Sequence, residues 1–152
     1  MITVGELCNR RVGTIGNTDS VLEAARRMRA QHIGSLVIVD DERAGALQPV
    51  GIITDRDIVV SVVATASPYL ESLRVGDVTT EPLVTAREKE SFVSALKKMR
   101  AEGIRRMPVV DNAGALVGIL TFDDLLELFS EELSELAAIV TREQRREAQR
   151  RI

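Results

Sequence analysis

Aromatic side chains make up 3% of the 152 residues and Trp is absent. The stacking platforms that hold single-stranded nucleic acid are therefore missing. The formal net charge of −3 offers no general attraction to a polyanion either. Cys8 is the only cysteine, which excludes an intramolecular disulfide and any thiolate-rich metal centre. His32 is the only histidine. It stands at the end of a predicted helix, where a single histidine reads as a capping or surface residue. No Ser/His/Asp or Cys/His set can be assembled, and neither phosphate-binding glycine fingerprint occurs. Carboxylates are plentiful, but their spacing fits helix faces and turns. No apolar run approaches membrane-span length, and residues 1–9 lack the apolar core of a secretory leader. A non-catalytic, metal-free, cytoplasmic protein is the expectation.

What the chain does have is a repeat. Residues 21–40 read VLEAARRMRAQHIGSLVIVD, and residues 92–111 read FVSALKKMRAEGIRRMPVVD. Ala24, Met28, Arg29, Ala30, Ile33, Val39 and Asp40 recur as Ala95, Met99, Arg100, Ala101, Ile104, Val110 and Asp111. A second block follows each copy, VGIITDRD at 50–57 and VGILTFDD at 117–124. Copy one carries extra loop residues near Glu42–Gln48. Two units are too few for a solenoid, so a pseudo-two-fold pair is the natural arrangement.

Within each copy the periodicity predicts the elements. Thr18, Asp19 and Ser20 are N-cap residue types ahead of Val21, Leu22, Ala25 and Met28 at helical spacing. Phe92, Val93, Leu96 and Met99 repeat that pattern. Gly103 stands where a left-handed C-terminal residue is wanted. Leu36–Val39 and Met107–Val110 are short, apolar runs rich in β-branched residues and read as buried strands. Asp40-Asp41 and Asp111–Gly114 are turn chemistry. Val50–Ile53 and Val117–Leu120 read as second strands, and Ile58–Ala64 and Leu125–Leu133 as helices. Extended lead-ins are expected at Val12–Ile15 and Leu83–Thr85.

This order resembles the CBS domain, named after cystathionine β-synthase, and the tandem resembles a Bateman module. The resemblance runs from about Val4 to Glu132. It rests on a strand ending in IVD or VVD, a turn, then V-G-I-[IL]-T-x-x-D leading into a helix. It implies an α/β (α+β) fold of two β-α-β-β-α repeats packed sheet to sheet, with a C-terminal helical extension. The expected divisions are a first repeat over 1–66, a linker over 67–78, a second repeat over 79–133 and a tail over 134–152. The resemblance further implies clefts for an adenosine-containing ligand: AMP, ADP, ATP, NAD or S-adenosylmethionine. No other cofactor is expected.

Candidate site residues follow from what such a ligand needs. A carboxylate accepts from both ribose hydroxyls, and in the family the aspartate matching Asp57 and Asp124 does so. Thr54 and Thr121 could bond a ribose or phosphate oxygen. Both pairs could instead cap the helices that follow. Adenine needs an apolar slot with backbone polar groups at its edge. Val12, Gly13 and Thr14 in one copy and Leu83, Val84 and Thr85 in the other are candidates, with Ile33 and Ile104 closing the slot or simply filling the core. Arg105, Arg106 and Arg56 could bind phosphate or lie on the surface. Copy one has Gly34 and Ser35 where copy two has Arg105 and Arg106, so the two clefts should differ in charge.

The tail differs in kind. Leu133, Leu136, Ala137 and Val140 form an apolar stripe, so the last helix is expected to run to about Val140. Beyond it Arg142, Arg145, Arg146, Arg150 and Arg151 mix with Glu143 and Glu147, which reads as a solvated charged segment, with a nucleic-acid or membrane arm as the alternative. Ile58, Val59, Val62, Val63, Leu125, Leu126, Leu128 and Phe129 exceed what one helix face needs, so a homodimer through the repeat helices is expected. Membrane and nucleic-acid partners are not, and the regulated protein is not named by the sequence. The expected function is a ligand-sensing regulatory module, acting through ligand-dependent change of that dimer. The competing reading is a docking or dimerising module with vestigial clefts.

Overall fold

Ser20 and Ser91 each end an extended approach and cap a helix through the side-chain oxygen, which accepts from Glu23 N at 3.1 Å and from Ser94 N at 3.2 Å. The computed structural model describes residues 1–40, 46–65, 68–79 and 82–150. The element order is α1 (Val4–Leu7), β1 (Thr14–Gly16), α2 (Val21–Gln31), β2 (Ser35–Asp40), β3 (Gln48–Thr54) and α3 (Asp55–Asp57), then a π-helical segment (Ile58–Val63). It continues α4 (Val75–Val78), β4 (Ala86–Arg87), α5 (Phe92–Glu102), β5 (Arg106–Val110), β6 (Leu116–Thr121) and α6 (Phe122–Arg150). Two three-stranded sheets result, in the orders β1-β2-β3 and β4-β5-β6. The expected mixed α+β architecture is what forms. The chain divides into two compact units, Met1–Leu120 and Thr121–Ile152.

The two copies close in the same way. Helix α2 ends at His32, which takes the left-handed conformation at φ 54°, and α5 ends at Gly103 at φ 66°. Glycine adopts that conformation without a Cβ penalty, whereas His32 bears it as a non-glycine residue. Burial follows the apolar periods. Ile15, Leu36, Ile38, Ile53 and Val62 are buried with Val21, Ala24 and Met28 in one cluster. Ala86, Phe92, Ala95, Met99, Met107, Val109 and Leu120 are buried in the second copy.

The ends of the copies are exchanged. Val75, from the start of copy two, belongs to the first cluster. Its N–H donates to Asp19 O at 2.9 Å, and Val21 N donates to Leu73 O at 2.8 Å. Reciprocally, Val4 N donates to Glu90 O at 2.9 Å, and Phe92 N donates to Ile2 O at 3.1 Å. Short helices α1 and α4 therefore each strap the other copy. Ion pairs repeat the symmetry: Arg27 with Asp19 at 3.6 Å, and Lys98 with Glu90 at 3.0 Å.

Four expectations need correction. The lead-in of copy two pairs at Ala86–Arg87, opposite Val109 and Val110, and not over Leu83–Thr85. In copy one Val37 N donates to Gly13 O at 2.9 Å. The equivalent residue in copy two is Pro108, which has no N–H, so that rung cannot form. In copy one the lead-in strand is Thr14–Gly16, so Val12 and Gly13 lie ahead of it. The segment after Asp57 is a π-helix, closed by Ala64 N donating to Val59 O at 2.9 Å. Its run of Ile58, Val59, Val60, Val62 and Val63 is crowded in the tighter α register. Finally, α6 runs unbroken to Arg150 instead of ending near Val140. Its first turn holds Asp123 and Asp124 and its last turn Arg150, matching the helix dipole. The turn after Asp111 forms as expected, with Asp111 Oδ1 accepting from Ala113 N and Ala115 N. Asp41, residues 42–45 of the inserted loop, and Arg151 lie outside the described residues.

Candidate functional site

Strand β3 delivers Thr54 and Asp57 together. Thr54 is the N-cap of α3, and its Oγ1 accepts from Asp57 N at 3.1 Å. Asp57 Oδ2 in return accepts from Thr54 N and Thr54 Oγ1, both at 2.8 Å. This reciprocal capping box fixes both side chains. Both returning bonds fall on Oδ2, and Oδ1 takes no hydrogen bond from the described residues. The capping role allowed by the sequence is real, with Thr54 as the cap and Asp57 reaching back from the third helical position.

The same two residues line a cavity of about 220 Å³ with Ile52, Ile104, Arg105 and Arg106. A smaller cavity of about 110 Å³ adjoins it and shares Ile52, Ile104 and Arg106, with Pro82, Leu83 and Val84 as its other walls. One copy thus supplies the carboxylate and the threonine. The other supplies two guanidinium groups and an apolar slot. Arg106 opens β5, half-buried, and no carboxylate of the described residues pairs with it. Leu83 and Val84 precede β4, so their backbone polar groups are not engaged in the sheet.

The remaining candidates lie elsewhere. Arg56 is exposed on α3, and its N–H donates to Asp55 Oδ1 at 2.8 Å. Thr85 lies outside both cavities, and its carbonyl accepts from Lys98 Nζ at 3.1 Å. Thr14 is likewise engaged, its carbonyl accepting from Arg27 Nη1 at 3.1 Å. Ile33 packs against the first hydrophobic cluster, and Gly13 lies beside it. Thr121 and Asp124 repeat the capping bond, with Thr121 Oγ1 accepting from Asp124 N at 3.1 Å. Among the described residues, no group of His, Cys, Asp and Glu is arranged to hold a metal ion.

Two lining residues were not anticipated, Ile52 and Pro82. Ile52 was findable: it stands two residues before Thr54 on one strand, and strand residues two apart share a face. Pro82 carried no comparable signal.

A scan of the sequence against family models matches the CBS domain twice, over residues 4–64 and 75–131. Uncharacterized protein MK0525 of Methanopyrus kandleri is 39% identical over 127 residues, covering 84% of this chain and 62% of that one. Inosine-5'-monophosphate dehydrogenase of Methanocaldococcus jannaschii is 34% identical over 80% of this chain, which spans only 22% of that enzyme. Among solved structures, the CBS domain pair of protein MJ0100 in complex with 5′-methylthioadenosine and S-adenosyl-L-methionine superposes with a TM-score of 0.72 at 28% identity, covering 87% of this chain and 98% of that one. CBS domain protein PAE2072 from Pyrobaculum aerophilum complexed with AMP gives 0.71 at 26% identity, covering 85% and 99%.

Proposed function

We propose a function for a chain that belongs to the CBS domain family: it is a non-catalytic regulatory module that binds an adenosine-containing ligand. The observation that carries this is the meeting of Thr54 and Asp57 from one copy with Ile104, Arg105 and Arg106 from the other around one cavity. Asp57 Oδ1 accepts from the ribose hydroxyls while Oδ2 holds the capping box. Each charge-assisted bond of this kind contributes about 1.5–3 kcal/mol. Adenine enters the smaller cavity against Leu83, Val84 and Ile104, with the Val84 backbone reading its edge. Arg105 and Arg106 face the phosphate, which guanidinium groups bind bidentately. The ligands named for MJ0100 and PAE2072 support the ligand class.

Thr121 and Asp124 occupy the matching motif and form a second ribose site in this reading. Regulation runs through a homodimer of the repeat helices. Val59 and Val63 of the π-helical segment are 56% and 58% exposed, while Ile58 and Val62 are buried, so the segment keeps an outward apolar face. The regulated partner is another protein. No helix among the described residues is long and apolar enough to cross a membrane, and the proposed location is the cytoplasm.

The Thr54–Asp57 capping box favours a second reading, in which the motif only builds the fold and the chain docks or dimerises. Calorimetric titration with AMP, ATP, S-adenosylmethionine and adenosine, with thermal shift alongside, separates the two. Saturable binding with a raised midpoint supports the sensor. No heat and no shift at millimolar ligand overturns it in favour of docking.

A further inference from the structure

Helix α6 carries an apolar stripe that is largely in solvent. Leu126, Phe129, Leu133, Leu136 and Val140 are 57%, 42%, 65%, 59% and 53% exposed. Their spacing alternates between three and four residues, which is the seam of a coiled coil. Ile139, 63% exposed, widens it. From Ser130 to Arg150 every residue is exposed. A solitary helix with an apolar seam is marginal in water and owes its stability to whatever covers the seam. Leu133, Leu136 and Val140 lie past residue 131, where the family match ends.

Charge says what covers it. The first half of α6 holds Asp123, Asp124, Glu127, Glu131, Glu132 and Glu135 without a Lys or Arg. The second half holds Arg142, Arg145, Arg146 and Arg150, with Glu143 and Glu147. A parallel pair would set each half against its like. It would also stack Glu143 on Glu143 and Glu147 on Glu147 at seam positions, which is costly. An antiparallel pair sets acidic half against basic half. We propose that α6 pairs antiparallel with α6 of a second copy, with Leu133 opposite Leu136 and Phe129 opposite Val140. The acidic first turns of one helix then run beside the arginines at the far end of the other. The contact centres on Leu133, Leu136 and Val140, past the family match, shares Leu126 and Phe129 with the helix of the second repeat, and does not use the Val59 and Val63 face. It does not depend on nucleotide binding.

Disulfide trapping in the full chain tests the direction. In a Cys8→Ser background, Phe129→Cys and Val140→Cys proteins are mixed and oxidised. The expected product is the mixed disulfide, several-fold over either symmetric one. A dominant symmetric Val140→Cys product shows a parallel pair and overturns the proposal, as does the absence of any disulfide. Sedimentation tests the seam. Leu133→Glu with Leu136→Glu should weaken one association step at least tenfold. Unchanged sedimentation of this variant would mean that the seam is not an interface between copies. Val59→Glu with Val63→Glu should leave the mixed disulfide intact. Neither readout involves nucleotide, so failure here and failure of the sensor reading are distinct results.

Discussion

Asp57 caps a helix and lines a cavity, and a pair of substitutions separates the cap from the proposed ribose contact. Its Oδ2 closes the capping box on Thr54 N and Thr54 Oγ1 at 2.8 Å. Its Oδ1 takes no bond from the described residues, and the residue lines the 220 Å³ cavity. Asp57→Ala removes both roles. Losing the cap costs about 0.5–2 kcal/mol of stability. At roughly 2–4 °C per kcal/mol for a chain of this size, the melting midpoint should fall by about 1–8 °C. Losing the charge-assisted ribose bonds should cost about 2–4 kcal/mol of binding, or some thirtyfold to thousandfold in affinity. Asp57→Asn keeps an oxygen for the cap and loses the charge. It should melt close to wild type yet bind AMP at least tenfold more weakly. Calorimetric titration with AMP at neutral pH and a melting curve on the same preparation measure both. If Asp57→Ala melts lower but binds AMP as wild type does, the aspartate is a cap and the ribose assignment is wrong. If both variants lose stability equally, the charge supports the cap, and binding must be compared below both midpoints.

Arg105→Ala with Arg106→Ala should abolish a preference for AMP over adenosine and leave adenosine binding near wild type; the wild-type preference should shrink with salt. Equal wild-type affinity for the two ligands at low salt would refute it. Pro108→Val restores a donor beside Val84, should extend β4 toward Leu83, and should weaken adenosine binding several-fold; hydrogen exchange at residue 108 and titration report the two effects. Val75→Ala and Val4→Ala each empty a fully buried strap contact and should each cost about 1–3 kcal/mol, read by denaturant melts; a loss under 0.3 kcal/mol would show that the straps do not hold the copies together. Glu90 is raised by burial, but hydrogen bonds from Lys98, Ser94 and Arg87 N with the Lys98 charge outweigh this and hold it below the ordinary glutamate value. Its folded pKa is depressed, so its stabilisation is full above the ordinary value and is lost as pH falls through the lower folded one. Glu90→Gln should flatten that acid limb of a stability–pH curve, and an unchanged limb would contradict the assignment.

Much of the fold was legible because the repeat states each element twice. Leu36–Val39 and Met107–Val110 carry apolar runs too short for helices, and the helices before them are capped by Ser20 and Ser91. What escaped was short or lacked apolar period. Val4-Gly5-Glu6-Leu7 and Val75-Gly76-Asp77-Val78 are a third repeated block, but one turn of helix has no periodicity to recognise. Its partner across the pseudo-two-fold is distant in sequence, so the exchange of straps had no local signal. The extent of α6 was hidden for a related reason. The apolar stripe stops at Val140, yet the Glu, Arg, Gln and Ala that follow are good helix formers with no Gly or Pro to end them.

The site was legible in its charges and not in its backbone. Thr54, Asp57, Ile104, Arg105 and Arg106 come from different copies and were each candidates in the sequence, but that Asp57 is the aspartate beside the arginines is legible only in the structure. The slot beside them depends on a bond that does not exist. Val37 donates to the lead-in of its own sheet, and Pro108, at the matching position, has no N–H to give. The parallel ladder therefore starts at Ala86 and leaves Leu83 and Val84 to line a cavity. A substitution that looks conservative in an apolar strand thus changes which backbone groups a ligand can meet. The two copies differ in this as well as in Arg105 and Arg106 against Gly34 and Ser35. Both differences act on the same cleft, one by freeing its apolar wall and one by charging its mouth. In the proposed reading the base sits at the apolar end of this cleft and the anion at its charged mouth.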